Sequence, residues 1–346
     1  MPISQVPFAG ISNPVGFRNA LINGDYSIAQ RGTSFASGAN NNDVYTLDRW
    51  YILSDGNDAI DVTQETTTVP TNQLTAIALD VETANKKFGI AQIIEQKNCV
   101  GLIGNTVTLS FQAKVSATTK LDNVKCAIVA WSGTADSVTS DIISAWGVEG
   151  TNPTLIADAT YENSPANLNV TTSYAKYSVT AAVDTASTKN IIVFIWSDVT
   201  DTTAGDFLYI TDVQLEAGEQ ASGFEFMPID VNLARCQRYC EVVSTGGGYQ
   251  NLFLGQVTTT SVANCVHKYS VQKRASATLT INNLANTVFL AANGNGTTPP
   301  TSFSTLNGTQ VIGIQFNGTS GLVAGNATRL LDADSSAPLF IFSSEL

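Results

Sequence analysis

The chain has a single histidine, His267, so any Ser-His-Asp or Cys-His relay has to run through it. It sits in the middle of SVANCVHKYSV with no nucleophile elbow beside it, which reads as a strand-face histidine and not as a general base. Five cysteines, Cys99, Cys126, Cys236, Cys240 and Cys265, include no C-x-x-C pair. Cys265 shares a strand face with His267, but a tetrahedral zinc site needs four ligands and the spacing to Cys236 and Cys240 matches no known frame. All five are expected as free, mostly buried thiols. Glycoside hydrolysis requires two carboxyl groups about 5 to 10 Å apart across a groove. Glu216, Glu219 and Glu225 cluster where a strand ends and read as turn charges, while Asp141, Glu149, Asp158 and Glu162 have no spacing that pairs them. GTSGLVAG lacks the lysine and the following helix of a phosphate-binding loop. The expectation is a protein with no catalytic residues and no required cofactor.

Sugar recognition asks for other side chains. Carbohydrate modules stack the apolar faces of sugars on exposed Trp or Tyr and flank them with amides and carboxylates. Trp131, Trp146 and Tyr161 flank or lie on a long polar stretch, 132–170, and connections of that length in compact domains tend to be functional. These three are the candidate carbohydrate-binding residues. Trp196, inside the apolar run IIVFIW, and Trp50, in YTLDRWY, are read as core, with Asp48 and Arg49 facing out or pairing locally.

The elements that must hold these residues are strands. Val107, Leu109 and Phe111 alternate with Thr108, Ser110 and Gln112, and Phe207, Tyr209 and Thr211 alternate with Leu208, Ile210 and Asp212. Short runs of this kind recur from Ala20–Asn23 and Tyr26–Gln30 through Tyr45–Leu53 and Ile90–Gln96 to Gly205–Leu215, with polar or Gly-containing turns between them. Pro228 then stops the pattern, Asp230 is placed to cap a helix, and Leu233, Cys236, Cys240 and Val243 recur at helical spacing up to the Gly246-Gly247-Gly248 run. A second set of strands follows, from Tyr249–Val257 to Leu339–Ser343, punctuated by Asn-Gly pairs at 293, 295, 307 and 317. The predicted fold is all-β: an antiparallel jelly-roll β-sandwich, a short linking helix and a second, smaller β-sandwich. The predicted domains are an extended N-terminal arm (1–17), the jelly roll (18–228), the helix (229–245) and the C-terminal β domain (246–346).

Composition narrows the partners. Of 346 residues 43% are hydrophobic, with no apolar run approaching the roughly 20 residues of a membrane span, so no membrane insertion is expected. MPISQVPFAGISNPVGF has no basic then apolar leader, which predicts synthesis in a cytoplasm. Only 13% are charged, with a net charge of -12 and no basic stripe, so nucleic acid is not an expected partner. A surface rich in neutral Thr, Ser, Asn and Gly suits extracellular fibres and shells.

The junction DVQLEAG, FEFMPID, LARCQRYC within Gly205–Cys240 resembles that of tailed-bacteriophage virion appendage proteins, fibre-like or spike-like, in which a carbohydrate-binding-module-like jelly roll ends and a helix carrying "CQRY" leads into a final β domain. RNALINGDYSIAQRGTSF with YTLDRWY is similar to the opening of that family, and IFSSEL to its closing strand. The resemblance implies a structural protein of the virion, made in the bacterial host cytoplasm. Its implied partners are other virion proteins, a host-surface glycan and two further copies in a homotrimer, with the apolar stripe Leu233, Cys236 and Cys240 lining the three-fold axis. It further implies a structural calcium held by Asp25 and Asp212. Three functions compete: a receptor-binding fibre or spike that adheres to glycans, a capsid or neck decoration protein with a purely structural role, and a polysaccharide depolymerase.

Overall fold

The computed structural model describes residues 17–246, 248–291, 296–333 and 339–346. The predicted arm lies outside them apart from Phe17, as do Asn293 and Asn295 of the expected turns. Two compact units divide the chain, the first ending at Pro228 and the second running from Ile229 to Glu345.

The strands of the first unit are, in chain order, β1 (Ser34–Phe35), β2 (Tyr51–Ser54), β3 (Ile60–Glu65), β4 (Ala76–Val81), β5 (Phe88–Ile94), β6 (Thr106–Val115), β7 (Val124–Trp131), β8 (Ile143–Ala145), β9 (Thr154–Leu155), β10 (Ala159–Tyr161), β11 (Ala175–Ala182), β12 (Asn190–Ser197) and β13 (Phe207–Ala217), with a four-residue helix α1 (Gln96–Cys99) after β5. One sheet runs β1-β3-β4-β13-β6-β11 and the other β10-β7-β12-β5-β2. The antiparallel pairs are nested: β4 with β13, β5 with β12, β6 with β11, β7 with β10. A long hairpin wrapped on itself gives that nesting, and it defines the jelly roll. Alternate residues of both sheets, among them Val107, Leu109, Phe111, Val193, Ile195, Leu208 and Ile210, interdigitate in one core with Trp50 and Tyr26.

Two expectations fail near the N-terminus, one because side chains replace the ladder and the other because a tight turn interrupts it. The predicted strands Ala20–Asn23 and Tyr26–Gln30 are a buried loop instead. Gln92 accepts from the Ile22 N–H through Oε1 and donates to the Ile22 carbonyl through Nε2, both at 2.8 Å, while Asn23 donates to Ile28 O and accepts from Ile28 N–H. Backbone groups satisfied this way need no neighbouring strand. The predicted strand Tyr45–Leu53 begins only at Tyr51, because Leu47–Trp50 is a tight turn with Arg49 at φ +72°. That turn carries Asp48 and Arg49 inward: Asp48 accepts the Gln30 N–H at 2.6 Å and Arg49 donates to Ile93 O at 2.6 Å. Trp50 is in the core as expected, its indole N–H on Asn23 O at 2.9 Å.

The second unit holds the helix α2 (Ile229–Gln237) and β14 (Cys240–Val243), β15 (Asn251–Thr259), β16 (Val262–Lys268), β17 (Thr278–Asn282), β18 (Thr287–Ala291), β19 (Ser302–Asn307), β20 (Val311–Asn317), β21 (Ala327–Asp332) and β22 (Leu339–Ser343). A six-stranded sheet, β18-β21-β15-β16-β20-β19, and a three-stranded one, β14-β22-β17, share a core of Phe253, Cys265, Phe316, Phe340 and Phe342. The helix stops eight residues short of the predicted 245, and Cys240 lies on β14, paired with Ser343 of β22. Long-range pairing with β22 overrides the local helical spacing, which the β-branched Val242 and Val243 support only weakly. No disulfide joins the five cysteines, and all are buried.

Candidate functional site

The insertion 132–170 lies against the outer face of the five-stranded sheet. On β12 the inward residues are Ile191, Val193 and Ile195, so Phe194 and Trp196 point outward, yet both are fully buried. Their rings stack at 4.4 Å, and Trp146 of the insertion packs edge-on to Phe194 at 5.9 Å. A buried charge cluster pins the cover. Asp198 pairs with Lys87 and, at 2.7 Å, with Lys125, and accepts the Gly150 N–H at 3.1 Å; Lys87 also donates to Val148 O at 2.8 Å, and Lys125 to Asn152 Oδ1 at 3.0 Å. Residues 146–152 are thereby tied to β5, β7 and the end of β12.

The predicted sugar-binding trio is placed within this cover. Trp131 is 8% exposed, its indole N–H spent on Thr134 O at 2.9 Å. Tyr161, half-buried on the edge strand β10, donates its hydroxyl to Pro153 O at 2.8 Å, and burial pushes its phenol up. Trp146 is half-buried against Phe194. No ring contact joins the three.

The outer face of the six-stranded sheet of this unit carries a different arrangement, which the sequence reading passed over. Leu208 and Ile210 of β13 enter the core, so Phe207 and Tyr209 face out, half-buried and near-parallel at 5.5 Å. Register places Tyr209 opposite Lys114 and Ala78, and Phe207 opposite Asp80. The Lys114 ammonium lies 5.4 Å from the Tyr209 ring and 5.8 Å from the Tyr174 ring, and Tyr174 donates its hydroxyl to Thr68 O at 2.8 Å. Burial, with Asp61, Glu82 and Asp206 as like charges, raises the Asp80 carboxyl to about 6. Rings for an apolar sugar face, with an ammonium and a carboxylate beside them for hydroxyls, therefore sit on one strip. The signal that locates it is the β13 alternation itself: aliphatic residues take the core side, which leaves the aromatic ones outside.

Asp25 and Asp212, the predicted calcium pair, come together. Asp212 sits at a bulge in β13 with φ +56°. Its Oδ2 accepts from Gln112 at 2.6 Å and Gln73 at 2.9 Å, while its buried Oδ1 has no partner. Burial raises its carboxyl, and Asp25 adds a like-charge push. Asp25 accepts from the Ser27 hydroxyl, and its carbonyl from Thr75. Two carboxylates with one orphaned oxygen fit a hard cation, with carbonyls completing the shell; among the described residues no group of three acidic, thiol or imidazole ligands gathers anywhere.

His267, the one candidate base, belongs to the second unit. It stacks on Phe342 at 4.8 Å and lies 3.3 Å from Glu241. Burial would raise Glu241, but His267, Lys273 and the Ser270 N–H bring it down to about 2. The cluster ties β14, β16 and the 269–273 turn together and contains no nucleophile poised on the imidazole.

No protein-family model matches the chain, and no curated protein is similar to it in sequence. Among solved structures the chain is similar to the enzymatically active domain of tailspike protein 4 of bacteriophage CBA120, with 16% identity, a TM-score of 0.33 and coverage of 58% of this chain but 22% of that one. It is similar to TmCBM61 in complex with β-1,4-galactotriose, at 14% identity and TM-score 0.31, over 58% of this chain and 99% of that one. The CBM22-1 xylan-binding domain from Paenibacillus barcinonensis Xyn10C gives 11% identity and TM-score 0.30, over 54% and 94%. These likenesses concern strand layout, and the jelly-roll assignment rests on the nested pairs of the first unit.

Proposed function

We propose that this chain is a structural protein of a tailed-phage virion, an appendage that adheres to host-surface glycans through the strip Tyr174, Phe207 and Tyr209 and does not turn them over. The observation that carries the adhesion reading is the outward aromatic pair on β13 with Lys114 and Asp80 opposite it in register. The virion setting, and with it virion partners and a homotrimer, is supported by the resemblance at Gly205–Cys240. The test is binding of the purified chain to an array of lipopolysaccharide O-chains and capsular polysaccharides, followed by titration calorimetry on any that bind. Tyr209→Ala is expected to weaken binding at least about tenfold, roughly 1.4 kcal/mol, with the unfolding temperature nearly unchanged. Binding that survives Phe207→Ala/Tyr209→Ala would move the site elsewhere; no binding to any polysaccharide would favour a decoration protein, and release of oligosaccharides a depolymerase.

Asp25 and Asp212 would hold a structural calcium that joins the loop before β1 to the bulge of β13. Millimolar calcium is then expected to raise the unfolding temperature of the wild type and leave Asp212→Asn unmoved; an equal rise in both sinks the assignment.

A further inference from the structure

The outer face of the six-stranded sheet in the second unit carries a row in continuous register that is aliphatic at four of its six positions, the others being Arg329 and Gly313. Leu290 pairs with Arg329, Arg329 with Leu254, Leu254 with Val266, Val266 with Gly313, and Gly313 with Leu306. Leu254, Val266 and Leu306 are 70%, 61% and 84% exposed, an unusual amount of aliphatic surface for one row of a sheet. The next row is uncharged: Gln256, Asn264, Gln315 and Ser304 are aligned across four strands. The six strands contain one carboxylate, Asp332, which is buried; the exposed charges among them are Lys268 and Arg329.

We infer that this face is an interface between copies of this chain. Charge supports a second copy. At a net charge of -12, two copies repel over most of their surfaces, whereas two of these faces meet without a carboxylate between them. Shape supports it as well. Gly313 interrupts the row where a side chain is missing, and a hollow of about 340 Å³ opens there between Val266 and Leu306; a second hollow of about 350 Å³ lies between Leu254, Leu290 and Arg329. Protruding leucines and hollows on one face make it complementary to itself. Six strands about 4.8 Å apart and about six residues long span roughly 29 by 20 Å, about 600 Å² before side-chain relief. That approaches the roughly 800 Å² each partner contributes to a stable interface.

The inference is independent of the glycan reading and holds equally for a decoration protein. It moves self-association away from the stripe expected on the helix, where Cys236 and Cys240 are buried in their own unit. Several copies per assembly would also present several aromatic strips to one polysaccharide, which raises avidity without new contacts.

The experiment is light scattering and sedimentation equilibrium of the full chain from about 1 to 50 μM, a range spanning ordinary homo-oligomer affinities. The wild type is expected as two copies, because a self-complementary face closes a two-fold pair. Leu306→Glu and Leu254→Glu are each expected to weaken association at least tenfold, with unchanged circular dichroism and unfolding temperature, because both side chains project from the surface. A monomeric wild type, or an oligomer that persists in the double variant, overturns the proposal. If Leu254→Glu fails to fold, Leu306→Cys with a bismaleimide is an independent readout: the five native thiols are buried, so a covalent dimer forms through residue 306 if the faces meet and fails to form if they do not.

Discussion

Two aromatic pairs on adjacent segments of the jelly roll, Phe194 with Trp196 and Phe207 with Tyr209, have the same local design and opposite fates. Each occupies alternate positions on a central strand, each points away from the sandwich core, and each stacks at 4.4 or 5.5 Å. Phe194 and Trp196 are sealed beneath the insertion, while Phe207 and Tyr209 stay half-exposed beside Lys114 and Asp80. Alternation thus tells which rings leave the core, and cover tells which of them can meet a ligand. The insertion, which its length nominated as the binding element, uses Trp146 to cover Phe194 on one face, and the opposite face leaves its ring pair half-exposed.

The strongest way to break this comparison is to unpin the cover. Asp198→Ala leaves Lys87 and Lys125 buried without their counter-ion, and is expected to cost about 3–5 kcal/mol. Thermal unfolding should fall accordingly, and limited proteolysis should cut first within 132–170. Trp146→Ala removes the ring that covers the sealed pair; a loss of about 1–3 kcal/mol in urea unfolding with unchanged polysaccharide binding would mark it as packing. Tyr209→Ala should do the reverse, affecting binding and hardly stability. If Trp146→Ala instead abolishes binding, the two faces exchange roles.

The smallest effects are those of pH, and they separate the open strip from the second unit. Asp80 is raised to about 6, so the folded chain holds that proton more tightly than the unfolded one. Its contribution is present below the ordinary carboxylate value near 4 and is lost as pH rises through about 6. Asp80→Asn should therefore raise the unfolding temperature by a few degrees at pH 7.5 and leave it alone at pH 4. Glu241 has the opposite sign: lowered to about 2 by His267 and Lys273, it stabilises above about 4.5 and loses that contribution as pH falls toward 2. Glu241→Gln should flatten the acid limb of the second unit's unfolding curve; an acid limb of undiminished slope would argue that other carboxylates govern it.

Much of the architecture was legible because a strand's alternation is a local property. Ile90–Gln96, where GIAQIIEQ also suits a helix, is a strand over Phe88–Ile94, and α1 begins only at Gln96. Errors came where a partner distant in sequence decides. Cys240 keeps helical spacing with Cys236 but pairs with Ser343 across about a hundred residues. Arg49 looks like a surface charge until the turn at Leu47–Trp50 aims it at Ile93 O. Tyr174, Phe207 and Tyr209 were visible as aromatic residues, but nothing near them in sequence says that β4, β6 and β13 bring Asp80 and Lys114 alongside.

By itself, then, the sequence determined that this is an antiparallel β protein in two sets divided near Pro228, that its cysteines are mostly buried thiols outside any disulfide, and that Leu208 and Ile210 lie on the opposite strand face from Phe207 and Tyr209. Those features follow from backbone period and residue chemistry, which act over a few residues. Only the tertiary structure decided that the insertion covers β12, that β13 bulges at Asp212 to leave a carboxylate oxygen without a partner, and that Leu254, Val266 and Leu306 line up across strands. Each of these depends on register and cover between segments far apart in the chain, which no local pattern records.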